Sequence, residues 1–193
     1  MNYNQEFAND IKECVRTMRD GGIILYPTDT IWGIGCDATN KDAVKRVYEL
    51  KKRSDSKALL LLVDNEAKIE RIVDDVPEVA YNLIEVADKP LTIIYQHAKN
   101  IAENLMAEDG SVGIRVTREP FSKALCEAFR RPVVSTSANI SGEPTAAFFS
   151  EISEVIRNGV DYVVKYRQTD TVKSTPSSII KLDKGGVVSI IRK

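Results

Sequence analysis

Three stretches of this chain carry polar side chains directly beside short apolar runs. They are Tyr26-Pro27-Thr28-Asp29-Thr30-Ile31-Trp32-Gly33-Ile34-Gly35, Ser135-Thr136-Ser137-Ala138-Asn139-Ile140-Ser141-Gly142-Glu143-Pro144, and Pro176-Ser177-Ser178. Thr28 and Thr30 alternate, so in an extended segment their hydroxyls face one side and can both donate and accept. Gly33 and Gly35 allow either close approach of a ligand to the backbone or tight strand packing. Pro-Thr-Asp-Thr also suits a plain turn, with Trp32 in the core. In the second stretch, Ser135, Thr136, Ser137, Asn139 and Ser141 crowd together. That density favours hydrogen bonding to a ligand over helix capping.

Charged residues add to this. Arg115 interrupts Ser111-Val112-Gly113-Ile114-Arg115-Val116, otherwise a clean strand. A guanidinium in a strand needs a partner or water. It forms either an ion pair on an exposed strand face or a bidentate clamp for a carboxylate, with Ser111 nearby. Lys51-Lys52-Arg53-Ser54-Asp55-Ser56-Lys57 is either a solvated face or a place where Lys51, Arg53 and Lys57 converge on phosphates. The sequence has no Walker-type loop, no Gly-x-Ser-x-Gly elbow and no Ser-His-Asp arrangement. Its one histidine, His97, lies apart from every motif. An enzyme built this way works by positioning and charge neutralisation, as phosphoryl and nucleotidyl transfer do.

The elements that must position these groups follow from periodicity. Phe7, Ile11, Cys14, Val15 and Met18 predict a helix ended by Asp20-Gly21-Gly22. A strand over 23–26 stops at Pro27. Thr39 or Asn40 caps a helix bearing Ala43, Val44, Val47 and Leu50. Strands are expected at 58–63, 91–95, 112–116, 133–134, 163–166, 178–182 and 187–191. Helices are expected at 69–73, 79–87, 101–106, 121–129 and around Ile152, Val155 and Ile156. Gly185-Gly186 reads as a hairpin turn. Thr169–Thr175 is polar and reads as a mobile loop, a candidate lid. Buried strands ending in polar motifs fit an α/β domain, where ligands sit at the carboxyl ends of strands.

The bulk numbers agree with a single soluble domain. The chain has 193 residues, 43% hydrophobic and 28% charged, with formal net charge -1. Attraction for phosphate or nucleic acid must therefore come from local clustering. No apolar run is long enough to span a membrane and the N-terminus carries no signal pattern, so a cytoplasmic location is expected. Cys14, Cys36 and Cys126 form no C-x-x-C pair and no zinc spacing; reduced, buried thiols are expected.

Taken in order, Tyr-Pro-Thr-Asp-Thr-Ile-Trp-Gly-Ile-Gly-Cys-Asp-Ala, Lys-x-Arg, Ser-Val-Gly-Ile-Arg-Val, Ser-Thr-Ser-Ala-Asn-Ile-Ser-Gly and Pro-Ser-Ser-Ile-Ile resemble the YrdC-like family of threonylcarbamoyl-AMP synthases, in its short form. The resemblance implies one α/β YrdC-like domain over 1–193. Its sheet is twisted and mixed parallel/antiparallel, with flanking helices and a basic concave face. It implies formation of threonylcarbamoyl-AMP and pyrophosphate from L-threonine, bicarbonate and ATP, with Mg²⁺ carried by ATP and no metal site of the protein's own. Downstream transferase proteins would pass the group to an adenosine beside the tRNA anticodon, and contact with tRNA or double-stranded RNA is a further expectation.

By the same resemblance, Thr28, Thr30, Arg115, Ser137 and Ser177 match threonine positions. Lys51, Arg53, Lys57, Ser111, Asn139 and Arg192 match nucleotide positions, with Lys51 and Arg53 meeting the triphosphate as catalytic residues. The chain departs from the family at Trp32, usually Tyr or Phe; at Asp88-Lys89-Pro90; at Thr117, usually Pro; around Thr145 and Ala147; and at Leu62, a His in some members. A non-catalytic RNA-binding module and carbamoyl-adenylate formation are the alternatives on the same fold.

Overall fold

The computed structural model describes residues 5–53, 59–183 and 185–193. The expected Lys57 contact and the start of the strand predicted at 58 lie outside them. Among the described residues nine strands form one sheet: β1 (Ile24–Tyr26), β2 (Gly33–Gly35), β3 (Leu60–Val63), β4 (Leu91–Tyr95), β5 (Val112–Val116), β6 (Val133–Ser137), β7 (Tyr162–Val163), β8 (Ser178–Leu182) and β9 (Val188–Arg192). Their order is β7-β1-β2-β6-β3-β5-β4-β8-β9. Pairs β1/β7, β3/β5 and β4/β8 are parallel and the others antiparallel, so the sheet is mixed as expected.

Among the described residues five α-helices accompany the sheet: α1 (Ala8–Arg19), α2 (Lys41–Lys51), α3 (Glu78–Val86), α4 (Pro120–Phe129) and α5 (Glu154–Gly159). Helix α1 buries Ile11, Cys14 and Met18 at helical spacing. Phe7, just before it, meets Phe121 of α4 edge-on, with centroids 5.5 Å apart, and Tyr166 at 4.9 Å. Asn40 caps α2, its side chain accepting from Asp42 and Ala43 N–H. Pro120 sits in the first turn of α4, and the Glu119 carboxylate accepts from Ser122 N–H. All three cysteines are free and buried.

Several predicted elements are corrected. The helices expected at 69–73 and 101–106 are short 3₁₀ turns, Glu66–Arg71 and Glu103–Leu105. In the first region Val73 leaves the helix to bridge Ala98. The strand expected at 163–166 ends at Val163. The N–H groups of Lys165 and Tyr166 donate to the buried Asp10 carboxylate, which also accepts from Tyr162 Oη at 2.6 Å. Ile152 precedes α5 rather than lying in it. At the β8–β9 turn, Gly185 and Gly186 both have positive φ, 81° and 79°, a conformation that costs glycine little.

Candidate active site

The first polar motif is the connection of the β1–β2 hairpin, in which Tyr26 pairs with Gly33. Thr28 Oγ1 donates to Ile31 O at 2.7 Å and accepts from Thr30 N at 3.1 Å. The turn and the site are therefore built from the same hydroxyl. The second motif begins inside β6, not after it. Ser137 pairs with Gly33 on one side, and Ser135 with Leu60 on the other. Three of its hydroxyls are thus held on a central strand, more rigidly than a loop would hold them.

These strands floor a cleft with two lobes. The first, about 270 Å³, is lined by Thr28, Thr30, Trp32, Thr145, Ser174 and the Arg115 guanidinium. The second, about 480 Å³, is lined by Arg53, Thr92, Ser111, Gly113 and Ile179. Leu60, Ser135, Thr136, Ser137, Ser177 and Arg192 line both lobes. Trp32 is buried and packs on Phe149, with centroids 4.8 Å apart.

Arg115 forms an ion pair with Asp29, but not on an exposed strand face. It is 4% exposed, so the exposed-face version is corrected. Its Nε and Nη2 donate to Thr92 Oγ1 (3.1 and 3.0 Å), and Nη2 also to Ser177 Oγ (2.9 Å). Its Nη1 donates to Asp29 Oδ1 at 2.6 Å and to Thr30 Oγ1 at 3.4 Å. Arg192 converges on the same serine from β9, with Nε on Ser177 O and Nη2 on Ser177 Oγ, both 2.9 Å. Arg115 has a carboxylate partner; among the described residues Arg192 has none.

Thr28, Thr30, Arg115, Ser137, Ser177, Arg53, Ser111 and Arg192 therefore share one cleft. Lys51 and Asn139 do not line it. The Lys51 ammonium is buried and donates to Ser137 O (2.5 Å) and Asn139 O (2.6 Å), while its own carbonyl accepts from Ser141 N (2.8 Å). The Asn139 amide donates to Ile140 O and Glu143 O. Both residues shape the turn after β6. Of the departures, Leu62 is in the core, Thr145 lines the first lobe, and Thr117 N–H donates to Val63 O, a bond proline could not make. Thr92, Asp29 and Arg167 escaped the sequence reading. Arg167 bonds Thr28 O, Glu119 and Asp170, tying the first motif to the 169–175 segment, which has no regular structure.

Burial lowers the Lys51 pKa to about 8, and the positive charge of Arg53 adds to the shift. In the unfolded chain the group returns to about 10.4. Between these values the unfolded state binds more protons, so this group's contribution makes the fold more stable as pH rises from about 8 towards 10. Lys51→Met should lose that rise. Urea midpoints at the two ends of the window measure it, and parallel pH slopes for both proteins would refute it.

An open mixed α/β sheet with a polar, arginine-lined double cleft defines a small-molecule-binding protein of the anion-handling kind. A family model described as "Telomere recombination", Sua5_yciO_yrdC, matches residues 16–193. The chain belongs to this family. A threonylcarbamoyl-AMP synthase of Stutzerimonas stutzeri is 34% identical over 179 residues, covering 92% of this chain and 95% of that one. One of Coxiella burnetii is 30% identical over 172 residues, covering 89% and 92%. Among solved structures, E. coli YciO superposes with a TM-score of 0.83 at 25% identity, covering 99% of this chain and 91% of that one. P. abyssi Sua5 complexed with L-threonine gives 0.84 at 22% identity, covering 99% and 55%, a likeness of fold.

Proposed function

We propose that this chain is an L-threonylcarbamoyladenylate synthase, a nucleotidyltransferase acting on L-threonine, bicarbonate and ATP. The observation that carries the reading is the double cleft, in which one lobe presents Arg115 among hydroxyls and the other presents Arg53, joined through Ser177 and Arg192. The first lobe takes the amino acid, with its carboxylate on Arg115 and its hydroxyl among Thr28, Thr30 and Thr136. The second takes the nucleotide. The threonine amine and bicarbonate give a carbamate and water. A carbamate oxygen then attacks the α-phosphorus, and the bond to the β-phosphate oxygen breaks to release pyrophosphate. Arg192, at the junction, faces the charge developing at the α-phosphate.

Arg53 neutralises the departing phosphates. Lys51 acts on the turn bearing Ser137 and Asn139, and Lys57 is assigned to the nucleotide on family resemblance. Hydroxyl donors such as Ser111 and Ser137 suit a magnesium ion carried on the phosphates and otherwise hydrated. The single sheet and continuous buried cluster support one domain over 1–193. We further assign the product to transferase proteins that modify tRNA, and the protein to the cytoplasm. No helix of the described residues is long and apolar enough to cross a membrane.

Pyrophosphate release from ATP and Mg²⁺ tests the reading. Release that requires both threonine and bicarbonate is expected. Release without them, or none, overturns it; salt-sensitive tRNA binding alone would indicate an RNA-binding module. Arg192→Ala should lower kcat/KM for both threonine and ATP about tenfold, some 1.4 kcal/mol. A loss confined to one substrate would remove Arg192 from the junction.

A further inference from the structure

The geometry points to Asp29 as the resident occupant of the carboxylate seat on Arg115, displaced by the carboxylate of the amino-acid substrate when it binds. The inference rests on the threonine reading above. A guanidinium has five N–H donors, and those of Arg115 meet five contacts within the protein. None of these donors is left free for an incoming carboxylate. A ligand must therefore replace a partner, and Asp29, held through one carboxylate oxygen on Nη1, is the partner of like charge.

The surroundings allow that exchange. Among the described residues Arg115 is the single hydrogen-bond donor to the Asp29 carboxylate. Asp29 sits at a bend rather than in a strand. It lines a separate cavity of about 150 Å³ that Arg115 does not reach, which is also lined by Lys89, by Arg118, whose guanidinium donates to Ala87 O and Ile84 O, and by a further carboxylate, Asp88. Arg115, by contrast, lines the first lobe of the cleft. A short rotation would take Asp29 from a guanidinium on one side to two cations on the other. The swap keeps the 4%-exposed Arg115 paired throughout, whereas leaving a buried guanidinium bare is costly. It also makes the seat selective. A carboxylate can replace the charge of Asp29; an analogue that lacks the carboxylate, such as threoninamide, cannot.

Calorimetric titration of the full chain with L-threonine, and separately with threoninamide, tests this. Asp29→Asn should bind threonine about fivefold more tightly than the parent, within the range of coupling between neighbouring charges, with KM for ATP unchanged. A merely structural Asp29 predicts the opposite sign. Lys89→Glu, at an exposed residue, repels Asp29 from its refuge and should weaken threonine binding about threefold. Equal or weaker threonine binding by Asp29→Asn with its circular dichroism intact overturns the exchange. If that variant does not fold, unchanged affinity in Lys89→Glu overturns it. If the parent binds no threonine, the reading of the cleft fails first and the exchange fails with it.

Discussion

Arg115→Ala should cut threonine-dependent pyrophosphate release by about 100-fold or more, the scale of losing a charge-assisted, preorganised contact. Nucleotide affinity should stay within about twofold, because Arg115 lines the first lobe and not the second. The variant also strands Asp29, whose side chain is 11% exposed, without a counter-ion. Breaking a buried pair from one side costs about 3–5 kcal/mol, enough to confuse lost function with lost fold. The double variant Arg115→Ala/Asp29→Ala separates the two. Removing both charges should recover most of the stability, since a buried pair replaced whole is often near neutral. Activity should stay lost. Recovery of activity in the double variant would mean that Arg115 only balances Asp29.

Gly35→Ala should destabilise the fold by about 3 kcal/mol, the upper end of the cost of overpacking. A Cβ at Gly35 would lie 2.6 Å from Tyr26 Cε1 and 2.7 Å from Val134 O. Neither neighbour can yield cheaply. Tyr26 is fully buried with its hydroxyl on Val134 O, and Val134 is in a strand paired on both sides. Because β2 also carries Gly33 against Ser137, a shift of this strand reaches the cleft. Urea denaturation measures the loss; an unchanged midpoint would mean the β1–β2 hairpin packs more loosely than described. Of the two glycines, Gly33 lines the first lobe, while Gly35 serves strand packing.

Strands with continuous or alternating apolar residues were legible to the residue: 91–95, 112–116 and 178–182 match β4, β5 and β8. Strand β2 was not, because Gly-Ile-Gly has no strand propensity of its own and is formed by pairing with β1 and β6. Ser135–Ser137 looked like a loop for the same reason: hydroxyls were weighed by type, while tertiary pairing decided their backbone. The cleft residues were legible as types. Their partners were not, since Arg115 and Asp29 are 86 positions apart. Lys51 did leave a signal. It falls on the stripe of Val44, Val47 and Tyr48, the buried face of α2, and membership in a charge run masked it.

Trp32 has a consequence for how the protein can be followed. It is the chain's one tryptophan, and it forms a wall of the first lobe against Phe149. Indole emission from this protein therefore originates at a single place, beside the proposed amino-acid seat. Threonine arriving there should change the polarity around that ring, so the unlabelled protein should serve as its own optical titration for the proposed amino-acid substrate. A nucleotide filling only the second lobe should leave the signal nearly still, and the order in which the two lobes fill becomes readable from emission in a stopped-flow trace.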